Sequence, residues 1–147
     1  MTRSINLSKT KIILTIVALL LVIQIIPYGK NHTNPKAISH PNWDSQRTKK
    51  LFYRACGDCH SFQTKWPSYS NIAPISWLVY SDVVEGRDHF NVSNIGGQNR
   101  NKLKEAAESI KEGEMPMFIY TIMHKNARLS DKEKQDLIQG LQATFGQ

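Results

Sequence analysis

Cysteine is scarce in this chain of 147 residues: there are two, Cys56 and Cys59, both inside the stretch RACGDCHSF at residues 54–62. With no second cysteine pair, a structural zinc site lacks half of its usual ligand set. A disulfide between residues three apart on a helix strains the backbone, so that use is disfavoured too. Strand alternation is also missing, which removes the βαβ setting that a thioredoxin-like redox pair expects. No dense basic stripe with interleaved aromatics occurs, and nucleic acid is set aside as a partner. What remains is an ordinary globular composition, 40% hydrophobic and 21% charged with a net charge of +7, which argues against disorder.

Acid is absent from the first 29 residues, which carry Arg3, Lys9 and Lys11. After Lys11 comes IILTIVALLLVIQII, from Ile12 to Ile26, interrupted only by Thr15 and Gln24. Such a run is borderline for a hydrocarbon core of ~30 Å unless its flanks contribute. A cleaved signal peptide has the same basic start and apolar run, but it ends in small residues of an A-x-A type, and QIIPYGK offers none. A buried helix of a soluble protein normally keeps a polar face, and this run has none. The reading favoured is an uncleaved membrane anchor over residues 1–29, with the positive N-terminus in the cytoplasm and the rest of the chain across the membrane. Residues 30–42, with Pro35 and Pro41 and no apolar period, are expected to form a linker, and His32 and His40 within it to be solvated.

Residues 43–147 show four helical patterns and no repeat, an all-α class. Asp44 is the expected cap of the first, which would align Leu51, Phe52, Ala55, Cys56 and Cys59 on one face. A second begins near Pro74 and aligns Ile75, Leu78, Val79, Val83 and Phe90. RNKLKEAAESIKEG makes a third that stops at Gly113. In the fourth, Ser130 and Glu133 form a capping box and Leu137, Ile138, Leu141 and Phe145 a buried stripe. Met123, with Ile119 and Ile122 nearby, is expected to fill a gap in the core.

His60 directly follows Cys59, and C-x-x-C-H is the spacing of covalent haem attachment: two thiols for thioethers to the porphyrin and an adjacent histidine for the iron. The predicted cofactor is one haem c per chain, with its iron. Cys56, Cys59 and His60 are its expected ligands. Met115, in GEMP beyond the third helix, is the expected sixth iron ligand. No apolar residue precedes it closely, so core packing explains it poorly, and Pro116 stiffens the backbone just after the sulfur. Met117 and His124 are the alternatives, with His89 a further candidate.

LFYRACGDCH resembles the first helix and haem motif of class I cytochromes c, and DLIQGLQATF is similar to their last helix. More closely, CGDCHSFQTKWPSYSNIAPISWLVYSDVVEGRDHF together with KEGEMPMF and ARLSDKEKQDLIQGL resembles the bacterial haem-binding domain family, small anchored proteins with one C-x-x-C-H. The resemblance covers about residues 42–145. It implies a cytochrome c-like helical fold around one haem, with first and last helices packed together and the haem attached outside the cytoplasmic membrane. EMPMF departs from the family pattern, which often has a second proline where Met117 stands.

Trp66, Tyr69 and Trp77 are candidates either to wall the haem or to pack in a core, and Arg87 either to meet a propionate or to lie on a solvated face. Two functions follow. With both axial positions filled by protein, the chain carries single electrons between redox proteins at the membrane. With an open sixth position, it reduces peroxide or senses a diatomic gas, with His124 or Tyr120 as distal proton donor. GEMP favours the first.

Overall fold

The computed structural model describes residues 3–146. Its α-helices are α1 (Arg3–Val22), α2 (Gln46–Ala55), α3 (Gly57–His60), α4 (Ile75–His89), α5 (Arg100–Lys111), α6 (Phe118–Met123) and α7 (Asp131–Phe145). No strand forms among the described residues, and Ser39 and Asn94 make an isolated bridge. The all-α class expected from the sequence is the class observed. Two compact units are present, one of residues up to His32 with Trp66–Ser81, the other of Thr33–Lys65 with residues from Asp82 onward.

In the first unit, α1 is longer than the apolar run that predicts it. Helical geometry extends back to Arg3 and is followed by a short 3-10 turn at Ile23–Ile25. The window Ser8–Ile25 has a mean hydropathy of 1.9 and none of it is buried by protein. The helix is therefore long and apolar enough to be a membrane anchor or a signal sequence. The start of α4 also lies in this unit, and there the expected apolar stripe is inverted. Ile75 and Leu78 are exposed, while Ala73 and Ser76 are buried; Val83 and Phe90, the later members of the expected stripe, are buried as expected. Apolar periodicity locates a helix but does not say which solvent its stripe meets.

The second unit holds the core, in which α7 packs against α5 and α2. Its centre is Phe52 and Leu51 from α2, Leu137 and Leu141 from α7, and Phe90 and Val92 after α4. Phe52, Phe90 and Phe145 meet edge to face with centroids 5.6–5.7 Å apart. The cap of α2 is Ser45 rather than Asp44. Ser45 is the last extended residue (φ −151°, ψ 157°) and its hydroxyl accepts from the Thr48 N–H at 3.1 Å. Asp44 is committed to α7 instead, its N–H donating to Thr144 Oγ1 at 3.2 Å. Asn99 caps α5, and Gly113 at φ +80° ends the turn that follows it, a left-handed position suited to glycine. The capping box at Ser130 and Glu133 and the buried stripe of Leu137, Ile138, Leu141 and Phe145 are as expected. Met123 is not a core gap-filler, because α6 leaves Ile119, Ile122 and Met123 exposed. Ile38 and Ser39 pair with the chain at 93–96, Ile38 N–H donating to Ser93 O at 2.8 Å and Gly96 N–H to Ser39 Oγ at 3.1 Å.

The crossing of α2 over α7 fixes the register of the unit. At Gly140, a Cβ would collide with the Thr48 side chain, and Thr48 is itself buried. Ion pairs flank the crossing, Arg47 with Asp136 and Arg54 with Glu133 at 2.7 Å. Gly140→Val is therefore expected to destabilise this unit by about 1–3 kcal/mol through overpacking. Denaturant unfolding of the haem-loaded protein would measure it, and a midpoint equal to that of the unsubstituted chain would refute the close-crossing argument.

Candidate functional site: a haem cleft

The helical path breaks at Cys56, where φ is −126° and ψ −21°. The expectation that Cys56 and Cys59 continue one face of α2 is thereby corrected: α2 ends at Ala55 and Cys59 sits on the separate turn α3. That turn closes on the Cys56 carbonyl, which accepts from Cys59 N–H at 3.2 Å and His60 N–H at 2.9 Å. Breaking the helix re-aims the second sulfur while both cysteines stay on the wall of one cleft. Both are free thiols.

The turn is held from several sides. Asp58, between the cysteines, accepts from Lys65 N–H at 2.9 Å with Oδ1 and from the Tyr120 hydroxyl at 2.8 Å with Oδ2. Thr64 Oγ1 donates to the Asp58 carbonyl at 2.6 Å, and Ser61 Oγ to the Gly57 carbonyl at 2.6 Å. Arg87 donates to the Ser61 carbonyl at 3.0 Å and to Thr64 Oγ1 and Asn34 Oδ1, both at 2.9 Å. Its guanidinium also lies over the Phe62 ring, 5.4 Å from the centroid. Arg87 is thus engaged in supporting the loop after the cysteines.

The His60 ring is oriented by hydrogen bonds to backbone carbonyls, those of Phe90 and Gly86. Its Nδ1 lies 2.9 Å from the Phe90 carbonyl, and a carbonyl only accepts, so Nδ1 carries the proton and the lone pair is on Nε2. Burial holds the imidazole below its usual range, partly opposed by backbone hydrogen bonds, and the neutral form is the one that ligates a metal. Burial likewise pushes the Cys56 thiol up to about 12, helped by Cys59. Cys59 is pushed up to about 12 as well, first by burial, then by Asp82 and Asp58. Both are protonated at neutral pH. The Tyr120 hydroxyl is raised by burial and by Asp58.

A cleft of about 390 Å³ opens over this turn, lined by Cys56, Cys59, His60, Met115, Met117 and Tyr120 among others. A second cavity of about 260 Å³ shares Cys56, His60 and Met115 with it and reaches the core at Phe52, Phe90 and Leu141. Together they give a largely apolar slot with an imidazole on one wall and a thioether on another, the surroundings that suit a porphyrin. No three His, Cys, Asp or Glu converge as a bare-metal site among the described residues. The donor set present fits haem better than zinc.

Met115 is half-buried and packs against the core cluster, with its N–H donating to Ser109 O at 3.1 Å. His89 lines both cavities, with Nε2 3.9 Å from Glu105 Oε2. His124 stacks on Tyr120, centroids 4.4 Å apart, and is not among the lining residues. Trp66, Tyr69 and Trp77 belong to the first unit. Trp66 stacks there on His32 at 4.4 Å, and His32 Nε2 donates to the Ser70 carbonyl at 3.1 Å, so His32 is not simply solvated.

The family model described as haem-binding domain matches residues 18–143. The chain belongs to the haem-binding domain family. No curated protein and no solved structure matches it. This is a haem-binding protein.

Sequence reasoning passed over two positions. Asp58 joins three segments of chain through its two carboxylate oxygens. Gly86 lets α4 approach the turn, since a Cβ there would lie 2.8 Å from the Cys59 carbonyl oxygen and 3.0 Å from Cys59 Cβ. A glycine within a helical pattern was the available signal. Gly86→Ala is expected to displace Cys59 and lower the haem loaded per chain, the contact outweighing the ~1 kcal/mol that alanine adds in a helix. Unchanged haem content with unchanged thermal stability would contradict this.

Proposed function

We propose that this chain is a membrane-anchored monohaem c-type cytochrome that passes single electrons between redox proteins at the membrane. Cys56 and Cys59 would hold the haem through thioethers, and His60 and Met115 would be the side chains that supply its iron with nitrogen and sulfur donors. The helix over Ser8–Ile25 keeps the protein at the bacterial cytoplasmic membrane, with the haem domain on the outer side. The observation that carries the reading is the His60 ring, fixed by the Phe90 carbonyl so that Nε2 is free, beside two free thiols on one cleft wall.

The bound group would supply a one-electron iron couple. The protein's part is positional. Phe90 O fixes the imidazole's tautomer and direction and raises its basicity. Met115 offers a soft thioether from a segment held by the Ser109 carbonyl and by core contacts, a ligand that favours the reduced iron and raises the potential. The largely apolar lining limits the solvent that must reorganise when the iron's charge changes by one, and Asp82, Glu85, Asp88 and Lys102 at its border would tune the potential.

Two observations favour electron transfer over peroxide or gas chemistry. Tyr120 already donates its proton to Asp58 at 2.8 Å, and His124 is outside the cleft lining. Neither candidate distal donor is disposed to serve.

Cys56→Ala with Cys59→Ala should abolish the haem that survives denaturing extraction from protein made in a periplasm with attachment machinery. Haem remaining covalent in that double variant would refute the thioether assignment. Met115→Ala should open the sixth position, lower the reduction potential, and let the reduced protein bind carbon monoxide. If that variant stays six-coordinate at an unchanged potential while Met117→Ala or His124→Ala does not, the ligand is the residue that mattered.

A further inference from the structure

The first unit carries a surface that the haem site does not use. Where the apolar run of α1 ends, Gln24 is paired with the backbone of Ala73: its Nε2 donates to Ala73 O at 2.9 Å, and Ala73 N–H donates to its Oε1 at 3.0 Å. Such a two-way bond mimics a strand pairing and fixes both direction and distance. Gly29, at φ +75°, crosses the chain so closely that a Cβ would lie 2.6 Å from the Ser76 carbonyl oxygen. Tyr28 meets Tyr80 edge to face at 5.5 Å. The end of the apolar helix is therefore clamped to the segment 72–80 rather than leading into a free tether.

That segment is inside out. Ala73 and Ser76 turn inward at 3% and 0% exposure, whereas Ile72, Ile75 and Leu78 are 56%, 46% and 66% exposed. Three large aliphatics at three-residue spacing are thus exposed, as are Ile25 and Ile26 at the end of the apolar run. Composition agrees. None of the chain's 12 acids lies in residues 1–32 or 66–81, although Lys30 does. Of the tryptophans and tyrosines, Tyr28, Trp66, Tyr69, Trp77 and Tyr80 fall in this unit, while Phe52, Phe62, Phe90, Phe118 and Phe145 all lie outside it. Trp and Tyr without acid, beside an apolar helix end, is the composition of the membrane–water boundary.

We propose that Ile72, Ile75 and Leu78 form a second membrane contact, inserted among the lipid acyl chains at the boundary where the anchor leaves the bilayer. The proposal rests on the anchor reading. If α1 spans the membrane, Gln24 sits near its outer boundary, and the pairing with Ala73 brings Ile72 and the first turns of α4 to the same level. An apolar face there meets lipid, and burying it in the headgroup–acyl region is favourable in proportion to its area. Gln24, the polar residue that interrupts the apolar run, is a positioning residue for this contact.

The test uses the full haem-loaded chain in vesicles of phosphatidylethanolamine and phosphatidylglycerol. A phenyldiazirine dissolved in the bilayer is photolysed, with glutathione outside to trap reagent that escapes, and labelled residues are mapped by mass spectrometry. Residues 12–25 report the anchor, and exposed Lys132, Gln135 and Gln139 on α7 report background. Label on Ile72, Ile75 and Leu78 at the level carried by residues 12–25 supports the proposal. Label on 12–25 with only background on Ile72, Ile75 and Leu78 overturns it and leaves the anchor standing. Background everywhere overturns both. In Gln24→Leu, which keeps the span apolar but loses the clamp, label should persist on 12–25 and fall on Ile72 and Leu78. Label unchanged on all of them would remove Gln24 from its positioning role.

Discussion

The hydrogen bond from His60 to the Phe90 carbonyl is the constraint on which the haem unit turns. It joins the shortest helix of the unit, α3, to the chain that leaves α4, and Phe90 is at the same time a core residue between Phe52 and Phe145. One residue thus orients the imidazole with its backbone and fills the core with its ring. Displacement of Phe90 would loosen both, so core packing and ligand geometry are not separable here. The same economy holds at Val92, fully buried, whose N–H donates to the His60 carbonyl at 3.0 Å. Residues 90–93 act as a strut behind the histidine.

A second constraint is proximity, obtained by leaving out side chains. Gly140 lets α7 meet α2 at Thr48, and Gly86 lets α4 meet the turn at Cys59. Close helix contact of this kind makes the position of Cys59 depend on backbone rather than on flexible side chains. The cost is paid in helix propensity, roughly 1 kcal/mol for each internal glycine relative to alanine. Asp58 adds a polar counterpart, spending both carboxylate oxygens on Lys65 and Tyr120. α6 has no buried residues of its own, and the Tyr120 hydrogen bond to Asp58 ties it to α3.

What could be read in the sequence follows from this division. Local signals were legible: the capping box at Ser130, the stop at Gly113, the stripe on α7 and the C-x-x-C-H spacing each lie within a few residues of chain. Family membership was legible from the longer motifs around Cys56 and Ser130. The cap of α2 was misplaced by one residue because Asp44 and Ser45 are both good caps, and only the distant Thr144 decides between them. The break at Cys56 was invisible because apolar periodicity continues through it. α6 was missed because it is six residues long and has no capping side chain. Arg87 offered too many partners in sequence, and its actual ones, Asn34, Ser61 and Thr64, are brought together by the fold.

The inverted face of α4 has the same origin as these misses, with a further twist. Periodicity records that one side of a helix differs from the other, and the usual inference assigns the apolar side to a protein core. Ala73, just before α4, and Ser76, in its first turn, are buried where Gln24 and Gly29 approach closely, and bulk there would block the pairing. Large aliphatics are left on the other side by the geometry of the helix. In water such an arrangement would be unfavourable and prone to association. Under the proposed second membrane contact, that face meets lipid instead of water. The polar interruption at Gln24 and the misplaced stripe at Ile75 and Leu78, distant in sequence, thus have one physical account: the end of the apolar helix and the segment entering α4 are matched to each other through the Gln24–Ala73 pairing and the close approach of Gly29 to Ser76.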